Sequence, residues 1–229
     1  MKFTIENGCF AYDASRTILQ DVCVELDRAE IMTVLGANGV GKTTLMKCML
    51  GLLRWTSGKS CVDDEDIREI NGAQLWQRIG YVPQAKQAVF AYTVEEMVLL
   101  GRSAHLGLVR QPRAEDRQIA LDSLKAIGIA HLRSRLISRI SGGELQMALI
   151  ARALAAKPEI LVLDDCSSAL DYKTDKALRS ALYHNFADTT TVIIAQRISS
   201  ILNADHILVL DGGRVIGAGT HEQLLETCP

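Results

Sequence analysis

The sequence lacks any long hydrophobic run. No stretch approaches the roughly eighteen consecutive apolar residues that a membrane-spanning helix needs, and the first ten residues, MKFTIENGCF, lack the apolar centre of a signal peptide. We therefore expect a chain that neither enters nor crosses a membrane by itself and that stays in the cytoplasm.

Charge of one sign is also scarce. The formal net charge is −2, and no run of like charges suggests an interaction tail. Because nucleic-acid binders usually carry a basic surface, this balance predicts no nucleic-acid partner.

Spacings typical of metal ligands are missing as well. The six cysteines contain no C-x-x-C pair, and the five histidines show no ligand spacing. We expect no metal held by these residue types alone, and we expect the cysteines to be buried small hydrophobic residues in a reducing compartment.

The chain does contain short β-rich runs that alternate with helical patterns, which favours an α/β fold with parallel strands. EIMTVLG, EILVLDD and TTVIIAQ read as buried strands, and HILVLDGGRVIGAG reads as a hairpin that turns at Gly212 and Gly213. Between about residues 93 and 156 the patterns are helical, which predicts a helical subdomain inserted into the α/β core.

The strongest motif is GANGVGKTT, which fits G-x-x-x-x-G-K-S/T between a strand and a helix. Its glycines let consecutive N–H groups and the helix N-terminus face phosphate oxygens, while the lysine adds a positive charge and the first threonine suits Mg²⁺. The motif predicts a nucleoside triphosphate site. Its candidate residues are Gly36, Ala37, Asn38, Gly39, Val40, Gly41, Lys42, Thr43 and Thr44.

A phosphate-binding loop of this kind needs a carboxylate that holds the magnesium through water, and Asp164 ends the strand ILVLD where such a residue would stand. Taken alone, an aspartate after an apolar strand is more often a strand-end or capping residue. The metal role of Asp164 therefore depends on the loop.

A second candidate anion site lies in ISGGELQMALIARAL. Ser141 and Glu144 form a capping box, and Gly142 and Gly143 follow in the first turn. Each glycine costs about 1 kcal/mol relative to alanine within a helix, so we expect another group to approach the backbone there. A plain well-capped helix is the alternative.

These motifs resemble those of the ATP-binding cassette (ABC) ATPases of transporters over essentially the whole chain. The resemblance rests on GANGVGKTT as Walker A, Gln84 in YVPQ as the Q-loop, SGGEL as the signature, ILVLD as Walker B and SALD as the D-loop. It implies one domain over residues 1–229, a P-loop NTPase with a RecA-like core, an N-terminal antiparallel β subdomain and a helical subdomain at about 86–156.

The resemblance also implies ATP and Mg²⁺ as cofactors, with Thr43, Gln84 and Asp164 at the metal and Lys42 in catalysis. It implies a head-to-tail dimer in which Ser141, Gly142 and Gly143 serve the nucleotide of the second cassette, while Asp171 shapes the interface. Tyr12 matches the aromatic that stacks on adenine, although an aromatic in a first strand more often only packs. Permease subunits would hold the dimer at the cytoplasmic face of the membrane, and a substrate-binding protein is an optional further partner.

The subfamily likeness divides near Walker B. Residues 1–163 resemble ATPase subunits of importers for iron-siderophore, haem or cobalamin, and residues 165–229 resemble nucleotide-binding domains of exporters. The segment between Gln84 and Ser141 faces the membrane subunits in the family, so it favours an importer. A detached exporter cassette is the alternative, against which stand the start at Met1 and the lack of a membrane segment. A nucleotide-gated switch that transports nothing is a third reading.

Two departures from the family pattern touch the chemistry. Asp165 stands where the family commonly has the glutamate that polarises the attacking water, and its side chain is one methylene shorter. Gln196 stands where the family has a switch histidine, and glutamine can donate a hydrogen bond but cannot carry the imidazole's proton. Together they predict slow hydrolysis, as at the weak site of asymmetric exporters.

Overall fold

The computed structural model describes residues 2–13, 16–84, 91–106, 111–166, 170–194 and 204–227. Within these residues the strands are β1 (Phe3–Asp13), β2 (Arg16–Leu26), β3 (Ile31–Leu35), β4 (Ser57–Val62), β5 (Glu65–Asp66), β6 (Ile79–Val82), β7 (Ile160–Asp164), β8 (Thr190–Ile194), β9 (His206–Asp211) and β10 (Arg214–Gly219). The helices are α1 (Lys42–Met49), α2 (Gly72–Arg78), α3 (Val94–Leu99), α4 (Ser103–Leu106), α5 (Ala114–Ala126), α6 (Gly142–Ala155), α7 (Tyr172–Asn185) and α8 (His221–Thr227).

The chain forms two compact units, and the first comprises Met1–Asn71 and Thr190–Pro229. One of its sheets has the antiparallel order β2-β1-β4-β5. In the other, β3 lies between β8 and β9 and is parallel to both, while β10 pairs antiparallel with β9. This unit therefore holds the N-terminal antiparallel sheet and a set of parallel strands.

Alternation of side chains explains how the antiparallel sheet forms. In β2, Val22, Val24 and Leu26 are buried, and the residues between them face outward. Cys23 is one of these outward residues and is exposed, so the expectation of buried cysteines is wrong at this position. Cys48, Cys61 and Cys166 are buried as expected.

The second unit, Gly72–Thr189, combines a parallel strand pair with most of the helices. Strands β6 and β7 run in register from Ile79 opposite Ile160 to Val82 opposite Leu163, and every residue of β7 is buried. An all-apolar strand is typical of parallel sheets, which are covered on both faces. Helices α3 and α5 pack on α6, whose face towards the core is almost wholly apolar.

A close backbone approach and an ion pair help to hold the helical part of this unit together. A Cβ at Gly101 would overlap the carbonyl oxygen of Arg152 in α6, so only glycine allows this contact. Beside it, Arg102 donates to Asp116 at 3.0 Å and to the Ala155 carbonyl at 3.0 Å. The hydrogen bond from the Arg113 amide, followed by the bond from Arg102, lowers the pKa of Asp116.

The predicted strands EIMTVLG and EILVLDD are confirmed as β3 and β7, and the described part of TTVIIAQ is β8. The predicted hairpin is confirmed as β9 and β10, with Gly212 and Gly213 between them. No helix within the described ranges is long and apolar enough to cross a membrane.

We predict that Gly101→Ala lowers the free energy of unfolding by roughly 1–3 kcal/mol, because the added methyl group forces the Gly101 backbone away from α6. Gly72→Ala is the matched control, since a Cβ at Gly72 meets nothing within 4 Å. Thermal or urea unfolding followed by circular dichroism measures both, and equal stability of the two variants would contradict the packing argument.

Candidate functional site

The loop between β3 and α1 has a backbone conformation that its sequence dictates. Gly36 adopts φ of 152°, and a Cβ there would overlap the Leu210 carbonyl oxygen of β9. Gly41 caps α1 with φ of 111° in the left-handed region. Between them Ala37, Asn38 and Gly39 are exposed, so the loop presents its backbone to solvent at the N-terminus of a helix.

Lys42 begins α1 and lies back along this loop. Its side chain is buried, and Nζ donates to the carbonyl oxygens of Gly36 at 2.7 Å and Ala37 at 2.9 Å. These bonds fix a positive charge under the curve of the loop. The next residue, Thr43, is exposed on the first turn of α1.

In the second unit, the parallel pairing of β6 with β7 brings polar residues together where the two strands end. Asp164 and Asp165 are buried, and Gln84 Nε2 donates to Asp165 Oδ2 at 3.4 Å. Tyr81 is the neighbour of Asp164, and burial followed by that carboxylate raises the pKa of the Tyr81 phenol to about 12. The phenol therefore stays neutral beside the carboxylate over the physiological range.

Asp165 has an unusual backbone conformation. Its φ is 48°, in the left-handed region, although it is not a glycine. Aspartate and asparagine enter this region more readily than longer side chains do, because the short polar chain can bond locally. The conformation therefore suits the aspartate that the chain has in place of a glutamate.

The signature segment forms the N-terminus of α6 as its motif predicts. The Glu144 amide donates to Ser141 Oγ at 3.2 Å, and the Ser141 amide donates to Glu144 Oε2 at 2.7 Å. The bond from the Ser141 amide, followed by one from the Ser141 side chain, lowers the pKa of the Glu144 carboxyl. Ser141 and Gly142 are exposed and a Cβ at Gly142 would meet nothing within 4 Å, so the start of the helix has room for an incoming group.

The remaining predicted residues lie in three places. Tyr12 is 61% exposed near the end of β1, with its ring edge-on to Phe10 at 4.9 Å between centroids. Asp171 caps α7 by accepting from the Thr174 amide at 3.1 Å. Gln196 lies in 195–203, outside the described residues, as do residues 168 and 169 of the predicted D-loop.

The sequence analysis assigns no role at the site to two buried residues of this region. Gln146 is 0% exposed in α6, and Cys166, directly after Asp165, is 4% exposed. The available signal was a single glutamine in the otherwise apolar run LQMALIA. A buried amide in such a run must find a partner.

The sequence profile of the ABC transporter family matches residues 19–168. The chain belongs to the ABC transporter family. Several relatives of this family match nearly all or most of the chain. An uncharacterized ABC transporter ATP-binding protein of Mycobacterium tuberculosis is 34% identical over 228 residues, which is 98% of this chain and 39% of the relative. The molybdate import ATP-binding protein MolC of Haemophilus influenzae is 36% identical over 179 residues, covering 78% and 66%.

The heavy metal tolerance protein of Schizosaccharomyces pombe is 32% identical over 239 residues, covering 98% of this chain and 27% of that protein. The chain therefore spans about two fifths or less of several of its curated ABC relatives. The relatives include a protein named for molybdate import, two named for heavy metal tolerance and one named for export.

Solved ABC structures agree with the fold. A bacterial Atm1-family ABC exporter with ATP bound superposes with a TM-score of 0.88 at 29% identity, over 100% of this chain and 40% of that one. An inward-facing ABC transporter described as of metal-chelate type gives 0.83 at 31% identity, over 97% and 84%. The predicted fold class, a P-loop NTPase of the ABC type, is confirmed.

ABC ATP-binding domains bind ATP with Mg²⁺ and hydrolyse ATP, and this chain is such a domain. The residues of this chain that the structure describes are chemically suited to bind ATP and Mg²⁺. The loop offers exposed backbone and the fixed charge of Lys42 for phosphates, and Asp164 offers a carboxylate, the ligand type that Mg²⁺ prefers.

We predict that Gly36→Ala lowers the affinity for a fluorescent ATP analogue at least about tenfold, because the methyl group displaces the loop from β9 and moves the Lys42 contacts with it. Gly128→Ala is the control. It has φ of 82° and open space at its Cβ, so it adds comparable backbone strain away from the loop. Equal binding by the two variants would show that the loop tolerates the displacement.

Proposed function

We propose that this chain is the ATP-binding subunit of an ABC importer for an iron-chelate-type substrate, with slow hydrolysis at its own site. The observation that carries the slow-hydrolysis part is the arrangement at the end of β7, where Asp165 has a short side chain, a left-handed backbone and a hydrogen bond from Gln84 at 3.4 Å. Each further role below rests on the described residues and on the family.

The phosphates are held by the loop from Gly36 to Thr44. Its backbone amides and the N-terminus of α1 direct partial positive charge outward, and Lys42 adds a full charge whose position is fixed by its two carbonyl contacts. A fixed charge stabilises the transferring phosphoryl group better than a mobile one, because little reorganisation is needed during reaction.

Thr43, Gln84 and Asp164 would hold the metal. Mg²⁺ would neutralise the negative charge that develops on the phosphate oxygens. The carboxylate of Asp164 is buried beside the neutral phenol of Tyr81 and would hold the metal through water. Gln84 lies two residues after the end of β6 and would contribute its side-chain oxygen.

Asp165 is the base that orients the attacking water. Its carboxylate can accept a proton from water, but a displacement of about 1 Å from the productive position can cost on the order of a hundredfold in rate. The hydrogen bond from Gln84 holds Oδ2 and thus uses one of its acceptor positions. Gln196 would donate to the γ-phosphate without the charge of a histidine.

The dimer is head to tail, with Ser141, Gly142 and Gly143 on the nucleotide of the second cassette. The open first turn of α6 supports this role, since it can approach an anion closely. Exposed Tyr12 would stack on adenine, and Asp171 would lie at the interface through its cap of α7. Because relatives are named as ATP-binding proteins of ABC transporters, we infer that the dimer works with permease subunits at the cytoplasmic face of the membrane.

The helical subdomain, at about 86–156, would face the permease, and a substrate-binding protein would deliver the cargo. Import is supported by the likeness to the molybdate importer over 78% of the chain. An exporter cassette is the second candidate, because the Atm1-family exporter superposes over 100% of the chain. Co-purification with a separately encoded permease favours the importer, and a permease in the same chain favours the exporter.

We predict that the double variant Asp165→Glu with Gln196→His hydrolyses ATP faster than the unaltered protein, by about tenfold or more, because a longer carboxylate and an imidazole restore the family's groups. Asp165→Glu alone gains less, since glutamate fits the left-handed backbone less well. Steady-state phosphate release from the purified protein gives these rates.

Asp165→Asn is the control, and it should lose most of the residual rate because an amide cannot accept the proton. If the unaltered protein turns over at an ordinary transporter rate and the double variant is no faster, the slow-site proposal is wrong. Slow hydrolysis that Asp165→Asn leaves unchanged would instead remove Asp165 from the reaction.

A further inference from the structure

Gln146 is a fully buried polar side chain in the second turn of α6. Its exposed fraction is 0%, and its neighbours in the helix, Leu145 and Met147, are also buried. Burying an amide without hydrogen-bond partners destabilises the folded protein. The position therefore demands specific hydrogen bonds.

One bond reaches the end of β6. Gln146 Nε2 donates to the carbonyl oxygen of Pro83 at 3.5 Å, which is the long end of the hydrogen-bond range. Pro83 immediately precedes Gln84. The contact thus holds the backbone from which the Q-loop glutamine projects.

A second bond reaches the turn after β7. The Gln146 amide donates to the sulfur of Cys166, which follows Asp165. This sulfur also lies 3.7 Å from the Val82 carbonyl oxygen and 3.8 Å from that of Asp164. Burial, followed by the two adjacent carboxylates, raises the pKa of Cys166, and the single S–H of the neutral thiol can donate to one of these carbonyls.

One amide therefore joins two strand ends to the signature helix. Its hydrogen bonds reach the residue before Gln84 and the residue after Asp165, and the Gln84 and Asp165 side chains meet at 3.4 Å. All of these contacts lie within the second unit. Because the Gln146 side chain connects α6 to the ends of both β6 and β7, a shift of α6 would move both strand ends.

We propose that Gln146 is a positioning residue for ATP hydrolysis, which holds Gln84 and Asp165 in their relative places by bonding Pro83 and Cys166. This inference rests on the proposed roles of Gln84 at the metal and of Asp165 at the attacking water. Side chains that hold metal ligands from behind typically contribute about ten- to a hundredfold in metal affinity or activity.

The test compares Gln146→Leu with Gln77→Leu. Gln77 Nε2 also donates to a backbone carbonyl, that of Ala104 at 2.7 Å, in the same unit. Both variants remove a glutamine-to-carbonyl bond, but only the first touches the strand ends. The measurements are kcat and KM for ATP, and the dissociation constant of a fluorescent ATP analogue in EDTA and in excess Mg²⁺.

We expect Gln146→Leu to lower kcat about tenfold. The dissociation constant of the analogue in EDTA, divided by that in Mg²⁺, should fall towards one because Mg²⁺ no longer strengthens binding. The dissociation constant in EDTA itself should stay within about twofold of the value for the unaltered protein. Gln77→Leu should leave all of these values unchanged. If both variants lose similar stability and neither alters kcat or the ratio, Gln146 is structural only. Weaker binding in EDTA alone would also overturn the proposal.

Cys166→Ala provides a second route should Gln146→Leu fail to fold. It removes one of the two partners and is expected to lower kcat and the metal-dependent ratio in the same direction, by a smaller factor. An unchanged ratio in this variant would contradict the proposal. If the unaltered protein hydrolyses no ATP, the proposed function fails. The ratio of the dissociation constants in EDTA and in Mg²⁺ still decides whether Gln146 positions Gln84 at the metal.

Discussion

The in-register pairing of β6 with β7 is the constraint on which the second unit depends. Because Val82 lies opposite Leu163, the next residues of each strand emerge at the same edge, which is why Gln84 and Asp165 are within hydrogen-bond distance. A shift by one residue would turn the side chains of β7 to the opposite face. The buried apolar side chains on both faces of β7 prevent such a shift, so the packing of the strand determines the geometry of its polar end.

The phosphate loop of the first unit is held differently, by its own side chain. Lys42 bonds the carbonyls of Gly36 and Ala37, and these two bonds hold the curve of the loop. A loop that is held in one conformation pays less ordering entropy when a ligand binds.

Elements that follow from local pattern could be predicted from the sequence, and those set by distant contacts could not. The strands β3 and β7 follow from apolar runs, and the boxes Ser141–Glu144 and Thr220–Gln223 follow from three-residue spacing. The burial of Gln146 depends on strand ends about sixty residues earlier and twenty later, so its motif looked like part of an ordinary helix. The exposure of Cys23 depends on which residues of β2 face the core. Because Val22 and Val24 are buried on one face of the strand, Cys23 between them lies on the other face.

The left-handed backbone of Asp165 gives its short side chain a physical reason. A glutamate with φ near 48° would carry more backbone strain than an aspartate. Its carboxylate would also lie one methylene farther from the backbone than the Asp165 carboxylate, which accepts from Gln84 at 3.4 Å. The turn after β7 is itself fixed by the Cys166 sulfur against two backbone carbonyls. The residue type at position 165 and the conformation of this turn are therefore coupled. Replacing Asp165 with glutamate changes both the strain of the left-handed backbone and the distance that the carboxylate spans.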